Sequence, residues 1–325
     1  ANQGELRDVQ RAFVFPGQGS QKVGMGQDLA QAFAAAREVF EEVDEALGEQ
    51  LSATIFNGPD EELQLTRITQ PALMAMSMAV IRVIEHESGQ KIAALAAAVA
   101  GHSLGEYSAL AAAGAISLED AARLLRLRGD AMQRAVPVGD GAMTALLGAD
   151  LAVAEEIAAE AAGNPASAEV CTLANDNAPG QVVISGSRVA IERAVVLAGE
   201  KGVRKAVLLP VSAPFHCSLM APAAEAMAMA LANVDIRPPL VPVYANVSAR
   251  PEHEPDEIRG LLERQVTAMV RWRECVAAMA GEGVGLLVEA GAGNVLKSLT
   301  RRIEPELEAV AVGGVEDVKN FLKSL

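Results

Sequence analysis

The sequence predicts an α/β protein: a parallel sheet flanked by helices, interrupted by a second, smaller unit. Three observations carry this. Short apolar runs bounded by glycine alternate with longer stretches of helical periodicity along most of the chain, the pattern of strands linked by helical crossovers. Residues 93–117 read strand, tight turn, helix around Gly101-His102-Ser103-Leu104-Gly105. Residues 138–210 read β-α-β-β-α-β, with their own polar turns.

The elements follow in order. Residues 11–16 (RAFVFP) form a short buried strand ended by Pro16, and the glycine-rich FPGQGSQKVGMG is a loop. Residues 28–47 place apolar side chains at helical spacing, and residues 66–87 form a second helix with Pro71 near its first turn. Alanine favours helix through 93–117, but Gly101 and Gly105 divide the segment and leave Ser103 at the turn. Helix 118–135 comes next. Within 138–210, GAMTALLG, VCTLAN, QVVISGS and KAVLLPV are strands, and 150–162 and 188–201 are helices; AAGNPAS and NDNAPG supply turns. This order is the ferredoxin-like pattern. VPVYANVS is then a strand, 255–280 is helical, GLLVEAGAGNVLKSLTRRI is strand, glycine turn and helix, and AVAVGGVED gives a last strand before a short helix.

Composition removes several classes of function. The chain has 325 residues, 51% of them apolar and 21% charged, enough for a large core and unlike a disordered chain. Lys and Arg number 27 against 42 Asp and Glu, for a net charge of −15, and aromatics are 3%. Nucleic-acid binding needs basic charge and stacking faces, so it is not expected. Three widely spaced cysteines, Cys171, Cys217 and Cys275, make neither a disulfide framework nor a zinc knuckle and suit a reducing compartment. No clustered His, Cys and Asp set indicates a metal. The N-terminal residues lack a basic segment followed by an apolar one, so no signal peptide is expected. The longest uncharged run, 206–224, contains Pro210, Pro214 and Pro222, so no membrane span is expected either.

The motif with chemical content is G-x-S-x-G at 101–105. A serine on a sharp strand-to-helix turn needs glycines two residues away on both sides, where neighbouring backbone passes close. The N–H after the serine then faces a developing oxyanion at a helix N-terminus. A serine at neutral pH also needs a base. Of four histidines, His86 and His253 each lie between glutamates and read as solvated, and the side chain of His102 diverges from that of its neighbour Ser103. His216, in PVSAPFHCS, is left as the candidate base, with Cys217 beside it as a small buried hydrophobe. The glycine loops starting at Gly17 and Gly291 fit neither G-x-G-x-x-G nor a P-loop. Arg128 falls at the edge of the apolar face of helix 118–135. It suits a carboxylate ligand, but the residues alone favour snorkelling or a pair with Glu106 or Asp130.

FPGQGSQKVGMG, TQPAL, GHSLGEY, LRLRGDAM, NDNAPGQVVISG, PFHCSLM and VEAGAGNVLKSLTRRI together resemble the malonyl-CoA:acyl carrier protein transacylases of bacterial type II fatty-acid synthesis, from about residue 11 to 323. The resemblance implies an α/β-hydrolase-like catalytic part over 1–137 and 211–325, with the ferredoxin-like unit of 138–210 inserted. It implies a nucleophile at Ser103, a general base at His216 oriented by the backbone carbonyl of Gln265, and an oxyanion hole from the N–H groups of Gln18 and Leu104. Arg128 would bind the free carboxylate of the malonyl group, and Phe215, just before the histidine, would shape the acyl pocket for malonyl. The implied substrates are malonyl-CoA and the phosphopantetheine arm of holo acyl carrier protein, with no bound cofactor or metal. The expected protein is a cytoplasmic monomer. A hydrolase using Ser103 and His216 is the main rival, disfavoured by Arg128 and by the lack of an evident acid partner. Because such carrier proteins are acidic, Lys201, Arg204 and Lys205, or Lys297, Arg301 and Arg302, are candidate docking patches.

Overall fold

Strand β1 (Arg11–Phe15) lies in the middle of a six-stranded sheet and is buried on both faces. Phe13 and Phe15 point into the main core, Ala12 and Val14 into a second cluster around Trp272. That two-sided burial is why the segment reads as a continuous apolar run rather than an alternating one. The computed structural model describes residues 9–163, 166, 169–211 and 213–325. The other strands are β2 (Ala98–Gly101), β3 (Gly141–Leu147), β4 (Cys171–Ala178), β5 (Gln181–Ser187), β6 (Lys205–Leu208), β7 (Val243–Tyr244), β8 (Pro251–Glu252), β9 (Leu286–Ala290) and β10 (Glu308–Val312). The large sheet has the order β10-β9-β1-β2-β7-β8, parallel except for the β7–β8 pair. A separate antiparallel sheet has the order β4-β5-β3-β6.

The two sheets share a boundary. On β3, Ala142 and Leu146 pack on the small sheet's own helices, while Met143 and Ala145 face the other way and join the main core. The two-residue period of a strand puts one face on each side, and the outward face forms one wall of the cleft described below.

The helix Thr66–Ser88 runs through the core. It is long and apolar enough to cross a membrane, but 89% of its most apolar window is buried inside the protein, which makes it a core helix. Pro71 sits in its second turn rather than its first. It has no N–H for the Arg67 carbonyl, and Arg126 Nε donates to that carbonyl instead, at 2.9 Å. Arg126 belongs to helix Leu118–Arg134, which crosses the same turn in close contact. A Cβ on Gly129 would come within 2.7 Å of Arg67 Cα and of the Thr66 carbonyl oxygen. This approach carries Arg128, the preceding residue, into the core at 1% exposure.

Several expectations are corrected. The helix expected over 28–47 is two helices, Gln27–Ala32 and Ala34–Leu47, divided by an extended Phe33 (φ −132°, ψ 123°). The break lets each half turn its own apolar face onto Thr66–Ser88. The helix expected over 255–280 is also two, Pro255–Gln265 and Trp272–Gly281. Between them Val270 adds to the edge of β4: its N–H donates to the Ala174 carbonyl at 2.8 Å and its carbonyl accepts from Asp176 N–H at 2.9 Å. The strand expected over 241–248 pairs only at Val243 and Tyr244, against Val99 and Ala100, because β2 turns away immediately afterwards. The helices Leu51–Asn57 and Ala221–Ala232 were not anticipated. The turn read at AAGNPAS lies partly outside the described residues.

Candidate active site

β2 ends at Gly101, and helix Gly105–Ala112 begins four residues later. The chain makes that reversal with Ser103 at φ 54°, a left-handed conformation costing about 1–2 kcal/mol for a residue with a Cβ. The flanking glycines are obligatory. A Cβ on Gly101 would lie 1.8 Å from the Gly105 carbonyl oxygen, and one on Gly105 would lie 2.3 Å from that of Phe15. The spacing read from the sequence is therefore a steric requirement of this turn.

Ser103 Oγ lies 2.8 Å from His216 Nε2, and His216 Nδ1 lies 2.9 Å from the backbone carbonyl oxygen of Gln265. A carbonyl only accepts, so Nδ1 carries the proton and Nε2 is left as an acceptor for the serine hydroxyl. Burial, with the nearby Arg128 guanidinium second, pushes the His216 pKa down to about 3. The imidazole is neutral at physiological pH, the form a general base requires. His216 is itself at positive φ, 57°, so both partners sit on constrained backbone.

Arg128 donates from one terminal nitrogen to Gln70 Oε1 at 2.8 Å. The other donates to Gln265 Oε1 at 3.0 Å and to Ser103 Oγ at 3.2 Å. Its charge centre lies 5.7 Å from the Tyr107 ring, and its Nε is buried without an acceptor. Among the described residues no carboxylate forms an ion pair with it. The partners suggested by the sequence are engaged elsewhere: Asp130 with Arg67 Nε at 3.0 Å, and Glu106 with the Asn246 N–H at 2.6 Å.

Gln18 follows β1 as Ser103 follows β2, and the two strands are hydrogen-bonded neighbours. The loop after Pro16 therefore passes against the serine turn; a Cβ on Gly17 would lie 2.6 Å from the His102 carbonyl oxygen. Gln18 and Leu104 both line the same cavity as Ser103, Arg128, Phe215 and His216. Its volume is about 380 Å³, and Met143, Ala145 and Val183 of the small sheet close one side. The seven residues singled out from the sequence are thus gathered in one place, Gln265 reaching the cavity residues through its hydrogen bonds.

The other histidines behave as read. His86 and His253 are exposed, and the His102 side chain turns from Ser103 to place Nε2 2.8 Å from Asn177 Oδ1 on β4. Of the two basic patches, Lys201 is bound to Glu156 and Glu160, at 3.0 and 3.1 Å. Arg302 reaches towards Gln181, a residue lining the cleft. Two functional side chains were missed. Gln70 fixes Arg128, and Asn246 contacts the serine turn. The only signal was a buried-period amide in each of two otherwise apolar segments, TQPAL and VYANV.

A serine poised against a neutral, carbonyl-oriented histidine at the end of a parallel strand is a geometry suited to acyl transfer. The chain belongs to the acyl transferase domain family, whose pattern matches residues 12–313. More particularly, it is 46% identical to the malonyl CoA-acyl carrier protein transacylase of Haemophilus influenzae, over 96% of this chain and 98% of that protein. Its fold is similar to the crystal structure of an acyl-carrier-protein S-malonyltransferase from Bartonella henselae, with TM-score 0.93 and 54% identity over 97% of this chain and 99% of that one. It is also similar, with TM-score 0.92 and 43% identity over 97% of this chain and 100% of that one, to a malonyl-transacylase solved in complex with a type II polyketide-synthase acyl-carrier protein.

Proposed function

We propose that the chain transfers a malonyl group from malonyl-CoA to the phosphopantetheine thiol of acyl carrier protein, by way of an ester on Ser103, and so supplies fatty-acid chain elongation. The observation that carries this reading is Arg128: a buried guanidinium with no carboxylate partner of its own, 3.2 Å from the serine oxygen. A substrate with an acyl carbonyl at Ser103 and a free carboxylate a few ångströms away satisfies both groups at once. The relatives named malonyl transacylases support the same reading.

Ser103 Oγ attacks the thioester carbonyl as its proton passes to His216 Nε2. The N–H groups of Gln18 and Leu104 hold the oxyanion. The carbon–sulfur bond then breaks, and the CoA sulfur leaves with the proton from Nε2. In the second half, His216 takes the proton of the carrier thiol and the sulfur attacks the ester carbonyl. The carbon–oxygen bond breaks and Ser103 recovers its proton. The thioester supplies the activation, so no cofactor or metal is needed. Gln265 orients His216 through its carbonyl, and Phe215 bounds the acyl pocket. Residues 138–210 read as a ferredoxin-like unit inserted in an α/β-hydrolase-like frame; the order β6-β3-β5-β4 is consistent with that reading. The reaction belongs in the bacterial cytoplasm, with the protein acting as a monomer.

The test is intact mass after brief exposure to malonyl-CoA, followed by addition of holo carrier protein. A malonyl-sized adduct that disappears as the carrier gains the same mass is expected. CoA release with no adduct and no malonyl-carrier would mean a thioesterase instead. A second expectation concerns pH. Because His216 is held neutral, the histidine itself should add no step near 6.5 to kcat/KM for malonyl-CoA between neutrality and about pH 5. A step near the ordinary histidine value in a pH-rate profile would contradict this role for its burial.

A further inference from the structure

We infer that Asn246 is a positioning residue for acyl transfer, clamping the serine turn from both ends and tying it to the histidine-orienting residue Gln265. The inference rests on the reading of Ser103 as the nucleophile. The clamp begins in the sheet register. Tyr244 pairs with Ala100, so Asn246, two residues on, comes level with His102 where β2 has already turned. A fully buried amide at that point meets the exposed polar groups of the turn. Its Nδ2 donates to the Gly101 carbonyl at 2.7 Å, and its Oδ1 accepts the Ser103 N–H at 2.9 Å. One side chain therefore holds the residues on either side of His102, next to the left-handed Ser103.

The amide orientation is forced. Oδ1 also accepts from Gln265 Nε2, at 3.0 Å, so a flip would set an NH₂ against two donors and an oxygen against a carbonyl. Gln265 Nε2 donates in addition to the Ser103 carbonyl, at 2.9 Å. The Asn246 backbone N–H donates in turn to Glu106 on the helix that starts at the turn. The serine turn, the carbonyl that aims His216 and the acceptor on Arg128 are thus joined through Asn246 and Gln265. Loss of this clamp lets Ser103 Oγ and the Leu104 N–H drift from the carbonyl they must meet together, and misplacement of about 1 Å costs on the order of 100-fold in rate. It does not remove a group that binds malonyl-CoA.

Two variants test this in the full chain. Asn246→Ala removes every side-chain contact. Asn246→Asp keeps the shape and both acceptor contacts but sets an oxygen against the Gly101 carbonyl. Both are compared with wild type for melting, for malonyl-transfer kcat and KM, and for the rate at which a fluorophosphonate labels Ser103. The expected result is a kcat and labelling rate lower by about 100-fold for Ala and about 10-fold or more for Asp, with KM for malonyl-CoA within about threefold. Folded Ala variant with kcat and labelling within about threefold of wild type overturns the inference, as does a fall confined to melting temperature. If Ala does not fold, the Asp variant decides by the same criteria. Wild type that fails to label at Ser103 overturns the underlying reading instead, so the two failures are distinct.

Discussion

Ser103→Ala should lose essentially all malonyl transfer while still binding malonyl-CoA. The substitution removes one oxygen. Alanine is no worse placed than serine at φ 54°, since both carry a Cβ, so the turn should keep its shape. His216 keeps its bond to the Gln265 carbonyl, and Arg128 keeps Gln70 and Gln265. What disappears is the atom proposed to bond the acyl group. In serine enzymes that use a covalent intermediate, removal of the nucleophile costs on the order of 10⁵–10⁶-fold in kcat. On the proposed mechanism the remaining oxyanion donors cannot substitute for it, because the acyl donor and the thiol acceptor would meet through the ester and not directly. Intact-mass measurement with malonyl-CoA should show no adduct, while equilibrium binding of malonyl-CoA changes by less than about tenfold. An adduct of unchanged yield in this variant would move the nucleophile elsewhere, and Cys217 would be the next residue to label.

How far this site was legible depended on whether the signal was steric or relational. The serine turn was legible because its glycines answer to backbone contacts a few residues away: Gly101 against Gly105, and Gly105 against the neighbouring strand at Phe15. The small sheet was legible for a similar reason. The two faces of β3 serve different cores, yet each keeps a strand's two-residue period. The break after Gln265 was not, because it depends on Val270 adding to β4 about a hundred residues earlier in the chain. Nothing local stops that helix. The break at Phe33 is likewise set by the core helix on which both halves pack. Gln70 and Asn246 are extreme cases. A buried amide carries no periodic signature, and its value lies in partners from other elements: Arg128 for one, both ends of the serine turn for the other. Arg128 stood between. Its helix and face were legible, but its lack of a carboxylate partner emerged only when Asp130 and Glu106 were seen bound elsewhere.

Arg128→Ala should convert selectivity more than it destroys catalysis. In the wild type the guanidinium is buried among neutral acceptors, and burial already lowers its pKa. A malonyl carboxylate entering beside Ser103 replaces water with a paired, low-dielectric contact. Without Arg128 the same carboxylate is buried unpaired, and truncating one partner of such a pair costs about 2–5 kcal/mol, or roughly 30- to 5,000-fold in kcat/KM. An acetyl group carries no carboxylate and bears none of that cost. It also gains the space left by the side chain. The Ser103–His216 contact does not pass through Arg128, so acetyl transfer reports whether the catalytic pair survives. The expected outcome is a fall in malonyl kcat/KM of about 100-fold or more, with acetyl kcat/KM unchanged or higher. An intact malonyl-to-acetyl ratio in folded variant, with both rates near wild type, would exclude Arg128 as the carboxylate ligand. A parallel collapse of both rates would instead mean that its bonds to Ser103 Oγ and Gln265 chiefly hold the catalytic pair in place, and Arg128→Lys, which keeps the charge but loses the fork, separates these cases. With lysine, discrimination against acetyl should partly return if charge pairing is what selects malonyl.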